Sequence, residues 1–204
     1  MSPRVTQEHK MKTQNVILDA AEHLFSKKGY HNTSMDDIVE KSGMSKGAIY
    51  GYFNSKEDLF LSLQERYSKL SLKDLTSLLS NEKSAKAKLE KAAILVFGAM
   101  CDIPDEACRM EIEFQVASSR MKKMRSRLGA QQSSIIDFLS GILEEGISNG
   151  EFKADLDVNS VATILVSAIG GLSTLHVTTG IKLDWDEIRN MFIRVIMEGI
   201  IADN

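Results

Sequence analysis

The stretch GMSKGAIYGYFNSKEDLF, Gly43 to Phe60, holds lysines at 46 and 56, aromatics at 50, 52 and 53, and glycines at 47 and 51. Ammonium groups and phenol hydroxyls at such spacing bind phosphate oxygens, and a bare glycine lets a helix backbone approach a base edge. A glycine inside a helix costs roughly 1 kcal/mol relative to alanine, so a helix that only builds a core has no reason to carry two in five residues. Just upstream, Thr33 and Ser34 add hydroxyls at a helix start. Chemistry of other kinds is poorly supplied. The four histidines (9, 23, 31 and 176) are scattered, and there is no nucleophile–base pair, metal-ligand spacing or phosphate-cradling loop. An enzyme, a metal site and a cofactor are therefore not expected. Cys101 and Cys108 are the only cysteines; they read as two small buried hydrophobes in a reducing compartment, with a redox switch as the alternative.

These groups must be held by helices. Only two prolines and no alternating strand pattern in 204 residues imply an all-α chain with a well-buried core. Ile17, Ala20, Ala21, Leu24 and Phe25 recur at helical spacing over 13–28, and Gly29 stops that helix. A second helix starts at Thr33 or Ser34, with Asp36 and Asp37 placed for a capping box, and ends at Ser42-Gly43. Ser45 caps a third, with Ile49 and Phe53 inward. A long helix follows from Ser55 and is expected to reach Leu79, with further helices over 83–100, 105–119, 122–149, 157–179 and 184–202. Two short helices joined by a turn with Gly43 form a helix-turn-helix, whose second helix would carry Ser45, Lys46, Gly47 and Tyr50 into a major groove. Tyr52, Thr33, Ser34 and Lys56 would reach phosphates. The competing reading is an ordinary helical hairpin with a solvated, tyrosine-bearing face.

Net charge is −3, yet residues 1–56 carry 8 Lys/Arg against 6 Asp/Glu, so the basic excess lies at the N-terminal end. The opening MSPRVTQEHK has no apolar run and reads as a flexible polar arm (1–12) rather than a secretory signal. From Val158 to Ile181 no side chain is charged, long enough to span a bilayer. About half of that segment is Ser, Thr, Asn, Gly or His. The expectation is a helix buried on nearly all sides in a core or interface, with no membrane partner and a cytoplasmic location.

The segment TSMDDIVEKSGMSKGAIYGYFNSKEDLF resembles the DNA-binding segment of TetR-type transcriptional regulators. Thr33, Ile38, Gly43, Ser45, Gly47, Tyr50, Phe53, Lys56, Glu57 and Leu59 match that family's pattern, and Tyr52 replaces its commoner histidine. The motif covers about a quarter of the chain with its preceding helix. The opening residues and the Gly150-Glu151-Phe152 segment further resemble the YfiR-like branch. The resemblance implies a helix-turn-helix domain over 13–54 and an effector-binding and dimerisation domain over 55–204. It also implies a homodimer on a palindromic double-stranded operator, most simply as a repressor, and a small hydrophobic or cationic effector inside the C-terminal bundle. Candidate lining residues are Phe97, Met100, Met110, Glu113, Phe114, His176 and Trp185. Each has a plainer reading as core, and Glu113 as a partner of Arg109.

For the dimer the residues add their own argument. Ala162, Ile169 and Gly170 with Gly171 offer close approach on one helix. The final helix is apolar on two faces, through Ile188, Phe192 and Val195 and through Ile196; a single chain buries one such face. A thicker single-chain core is the alternative. A non-specific DNA-coating protein is the rival at the level of function. The cluster RMKKMRSR, Arg120 to Arg127, reads as a solvated helix start, with a second nucleic-acid patch as the alternative because the cluster is basic but distant in sequence.

Overall fold

The computed structural model describes residues 7–67 and 72–202. Among them are ten helical segments and, outside helices, one isolated antiparallel bridge between Phe152 and Ile201. The helices are α1 (Gln7–Asn32), α2 (Met35–Ser42), α3 (Lys46–Tyr50), α4 (Lys56–Tyr67), α5 (Leu72–Leu79), α6 (Ala85–Cys101), α7 (Asp105–Ser118), α8 (Lys122–Ser148), α9 (Val158–Thr179) and α10 (Trp185–Ile200). The all-α expectation holds. Helix α1 begins at Gln7, inside the stretch read as a polar arm; Arg4 and the rest of 1–6 lie outside the described residues. The expected long helix coincides with α4 and α5, and its middle, 68–71, also lies outside them.

Two compact units are present: Met1–Ser68 with Arg109–Ala117, and Lys69–Cys108 with Ser118–Asn204. Helix α7 is thus divided: Arg109–Ala117 belong to the first unit, and its first four residues and Ser118 to the second.

In the first unit Ile17, Ala21 and Phe25 of α1, Ile38 of α2, Ile49 and Phe53 around α3, and Leu59, Phe60 and Leu63 of α4 are all buried, with α1 packed on α2 and α4, and α2 on α3. Three rings close it. Phe60 stacks on Phe114 with centroids 3.8 Å apart, and Tyr30 stands edge-on to both at 5.5 and 5.0 Å. Local chemistry sets the ends. Gly29 takes φ +79, which breaks α1, and Gly43 takes φ +68 at the end of α2.

In the second unit Leu79, Ala85, Leu89, Ala92, Ile142, Leu143, Phe152, Ala162, Met197 and Ile200 form one core. The short Glu151-Phe152 segment organises it. Glu151 accepts the N–H groups of Ala85 and Lys86 at 3.0 Å each, capping α6 beside Ser84. The Phe152 ring lies over Gly146, where an added Cβ would sit 2.1 Å from it. Backbone bonds Lys153 N–H to Ile200 O (2.9 Å) and Ala202 N–H to Glu151 O (3.1 Å) tie this segment to the end of α10.

Helix α9 departs from expectation within the single chain. It buries Ala162, Leu165 and Val177 but leaves Ile164 and Leu175 exposed. Thr163, Thr174, Thr178 and Thr179 donate their hydroxyls to the carbonyl four residues back, at 2.6–2.9 Å. These four threonines thereby turn their methyl groups, not free hydroxyls, to the surface. By length and composition this is the one helix among the described residues apolar enough to cross a bilayer.

Candidate nucleic-acid interface

Each short helix of the reading head is held by its own cap. Ser34 starts α2: its Oγ accepts the Asp37 N–H (3.1 Å) and Asp37 Oδ2 accepts the Ser34 N–H (2.8 Å), the reciprocal capping box. The Ser34 N–H, then Lys28 Nζ at 2.9 Å, hold the Asp37 carboxyl well below the usual carboxylate range. Ser45 Oγ accepts the Ala48 N–H at 3.2 Å to start α3.

Ile49 and Phe53 then face inward, at 0% and 3% exposure, which turns Ser45, Lys46, Gly47 and Tyr50 out to solvent. Lys46 Nζ lies 2.7 Å from Asp36 Oδ1, which raises its pKa. Around Gly47 an added Cβ would find nothing within 4 Å. Packing inside the chain gives no reason for a glycine there. Tyr52 is half-buried beside this face.

Thr33 and Lys56 are both engaged within the chain. Thr33 is buried and its hydroxyl donates to Gly29 O at 2.9 Å. Lys56 Nζ donates to the carbonyls of Tyr30 (2.8 Å), Thr33 (2.8 Å) and His31 (3.3 Å), and sits 4.4 Å from the Tyr30 ring centroid. Burial lowers its pKa. The ammonium terminates α1 from inside the molecule because the last carbonyls of a helix need donors. Of the eight expected DNA contacts, six lie on or beside the exposed face, and these two brace it from behind.

The expected effector set is divided. Phe114 is a core ring of the first unit, Met110 is buried, and Glu113 Oε2 accepts the Tyr30 N–H at 2.8 Å. The same oxygen would be 2.6 Å from a Cβ on Gly29. Glu113 is a bracket for the kink in α1, a role that no local pattern announces. In the second unit Met100, His176 and Trp185 line a cavity of about 90 Å³ with Cys101, Ile103, Asp105, Cys108, Ser173 and Val177. His176 Nδ1 is 2.8 Å from Ile181 O and Nε2 is 3.5 Å from Asp105 Oδ1; its ring stands edge-on to Trp185 at 5.5 Å. Phe97 is buried and packs against Trp185 and Phe192. Against the expectation of burial, Cys101 is exposed and Cys108 half-buried; Asp105 brings a carboxylate to this cavity that no local motif marks.

Among the expected dimer residues, Ala162 is fully buried in its own chain's core. Ile169, Ile188, Phe192 and Ile196 are half-buried, whereas Gly170 is exposed and Val195 is 56% exposed, alongside Met191 on α10.

The comparisons agree with this geometry. Residues 17–63 match bacterial regulatory proteins of the tetR family, and residues 78–202 match the C-terminal region of QacR-like proteins. The chain is 31% identical over 172 residues to the HTH-type transcriptional regulator YfiR of Bacillus subtilis (strain 168), covering 84% of this chain and 83% of that one. It is 28% identical over 206 residues to the HTH-type transcriptional regulator QacR of Staphylococcus aureus (93% and 99% covered). The solved structure of the transcriptional regulator FadR from Bacillus subtilis in complex with stearoyl-CoA superposes with a TM-score of 0.72 at 26% identity, over 91% of this chain and 98% of that one. This chain belongs to the TetR family of bacterial transcriptional regulators.

Proposed function

We propose that this regulator is a cytoplasmic homodimeric repressor that holds a palindromic operator through α3 and releases it when a small molecule occupies the second unit. The observation that carries the reading is Gly47: a helix-weakening residue, exposed, with nothing of its own chain near the missing side chain. A duplex pressed against α3 explains it, with Lys46, Tyr50, Ser45, Tyr52 and Ser34 around it as donors to phosphate and base edges. Asp36 beside Lys46 gives way to phosphate as the stronger acceptor cluster.

The effector reading rests on the cavity beside Trp185 and His176. Its aromatic, thioether and carboxylate lining suits a hydrophobic or cationic molecule. At about 90 Å³ it lies below the roughly 300–1,000 Å³ of occupied ligand sites, so binding must widen it. Stearoyl-CoA in the FadR structure supports an effector with a long apolar part. Release by about 100-fold requires the effector to favour the non-binding state by about 2.7 kcal/mol.

The test is selection of bound DNA from a random pool, followed by fluorescence anisotropy on the selected site. A palindrome bound specifically by the native chain, with affinity lowered at least about 100-fold by Gly47→Leu at unchanged melting temperature, is the expected result. Equal affinity of the two proteins for that site would refute the proposed contact.

A further inference from the structure

The start of α8 is built against its own stability. Arg120, Lys122, Lys123, Arg125 and Arg127 are all exposed, and none has an ion-pair partner among the described residues. From Phe114 to Ile136 the chain contains no Asp or Glu. Cations at a helix N-terminus oppose the macrodipole, each by roughly 0.3–1 kcal/mol, and like charges four apart, as at Lys123 and Arg127, oppose each other. Met121, at the N-cap of α8, offers no side-chain cap, unlike the N-caps of α2, α3, α6, α9 and α10. Buried Met124 anchors the turn, so the charges cannot swing into the core.

These groups are also concave together. Lys122, Arg125 and Ser126 share one helix face at i, i+3 and i+4. With Ser119 and Arg120 they line an open basin of about 470 Å³. A strained concentration of like charge, joined by hydroxyls around a hollow, is what a polyanion would relieve.

We infer that this basin is a receptor for the clustered phosphates of a small molecule, such as the nucleotide part of a coenzyme thioester. Arg120, Lys122 and Arg125 are its binding residues. A concave basin on the unit without the helix-turn-helix favours a small ligand over the extended, regular backbone of a duplex. The inference goes beyond the repressor reading and does not depend on which molecule fills the Trp185 cavity. It does allow one effector to bear an apolar tail and a phosphorylated head.

The test titrates coenzyme A, and separately inorganic pyrophosphate, into the full-length protein by calorimetry at low salt. The same titrations use Arg120→Glu/Arg125→Glu and the milder Lys122→Gln/Arg125→Gln, whose folding is checked by thermal melting. The expected result is binding by the native protein that weakens at least about tenfold in a folded variant and falls as salt rises. Binding of pyrophosphate as well as coenzyme A would show that phosphates alone suffice; coenzyme A alone would show that the nucleoside is also read. Binding by neither probe, or equal binding by native protein and variants, overturns the proposal. Operator affinity is measured on the same variants. Retained operator binding with no phosphate binding would sink this inference and leave the repressor reading standing. Loss of operator binding without any phosphate binding would reassign the patch to DNA.

Discussion

Lys56 and Gly47 lie nine residues apart and carry opposite lessons. Lys56 looks like a phosphate ligand by type and position, but three carbonyls already take up its ammonium. Lys56→Met is therefore expected to cost about 1–3 kcal/mol of stability through unsatisfied helix-end carbonyls, measured by urea unfolding. The salt dependence of operator binding should stay unchanged; a slope shallower by about one would restore a phosphate contact. Asp37 makes a prediction in pH. Its folded pKa is depressed, so its contribution is present above the unfolded value of about 4 and fades as pH falls below it. Stability measured from pH 6 down to pH 2 should fall less steeply for Asp37→Asn than for the native chain; parallel curves would mean that the capping box contributes nothing. Gly47 was legible in the sequence because its oddity is local. The fate of Lys56 was not, because its carbonyl partners lie 23 to 26 residues upstream.

Helix starts and stops were readable for the same reason. The Ser34 and Ser45 caps and the stops at Gly29, Gly43 and Gly150 depend on a few consecutive residues. The division of α7 was not readable. Met110, Glu113 and Phe114 fall at core spacing on a helix that also lines the cavity through Asp105 and Cys108, and periodicity cannot say which unit receives each turn. The Gly150-Glu151-Phe152 segment is a second case, visible as a motif but mute about purpose. Its purpose is the notch at Gly146 under Phe152. Gly146→Ala is expected to destabilise the second unit by about 1–3 kcal/mol, since the buried Phe152 ring stands where the new methyl would go. Adding Phe152→Leu to that variant should return part of the loss, a coupling that thermal melting of the two single variants and the pair would reveal. Strict additivity would mean that the notch is not the cause.

At the level of the whole molecule, the largest unused resource is the apolar surface of α9 and α10. On α9 Ile164 is 59% exposed and Leu175 42%, with Thr163 and Thr174 bonding their hydroxyls to their own helix, and on α10 Val195 is 56% exposed and Met191 45%. Such a surface needs either lipid or protein. The occupant proposed above is a second copy of the chain, which would also supply the second α3 that the proposed palindrome calls for. A twofold interface presents every residue twice, so one substitution there places two charges in the same apolar patch. Val195→Glu is expected to shift the protein from twice the 22.7 kDa chain mass to that of a single chain in sedimentation at micromolar concentration. Operator affinity should fall with it, while helical content stays level, because Val195 is 56% exposed and not one of the core residues. Val195→Ala is the control that shortens the side chain without adding charge and should remain dimeric. Native protein sedimenting as a single chain at these concentrations would overturn the dimer, and partitioning of α9 into vesicles would give its apolar face to lipid instead.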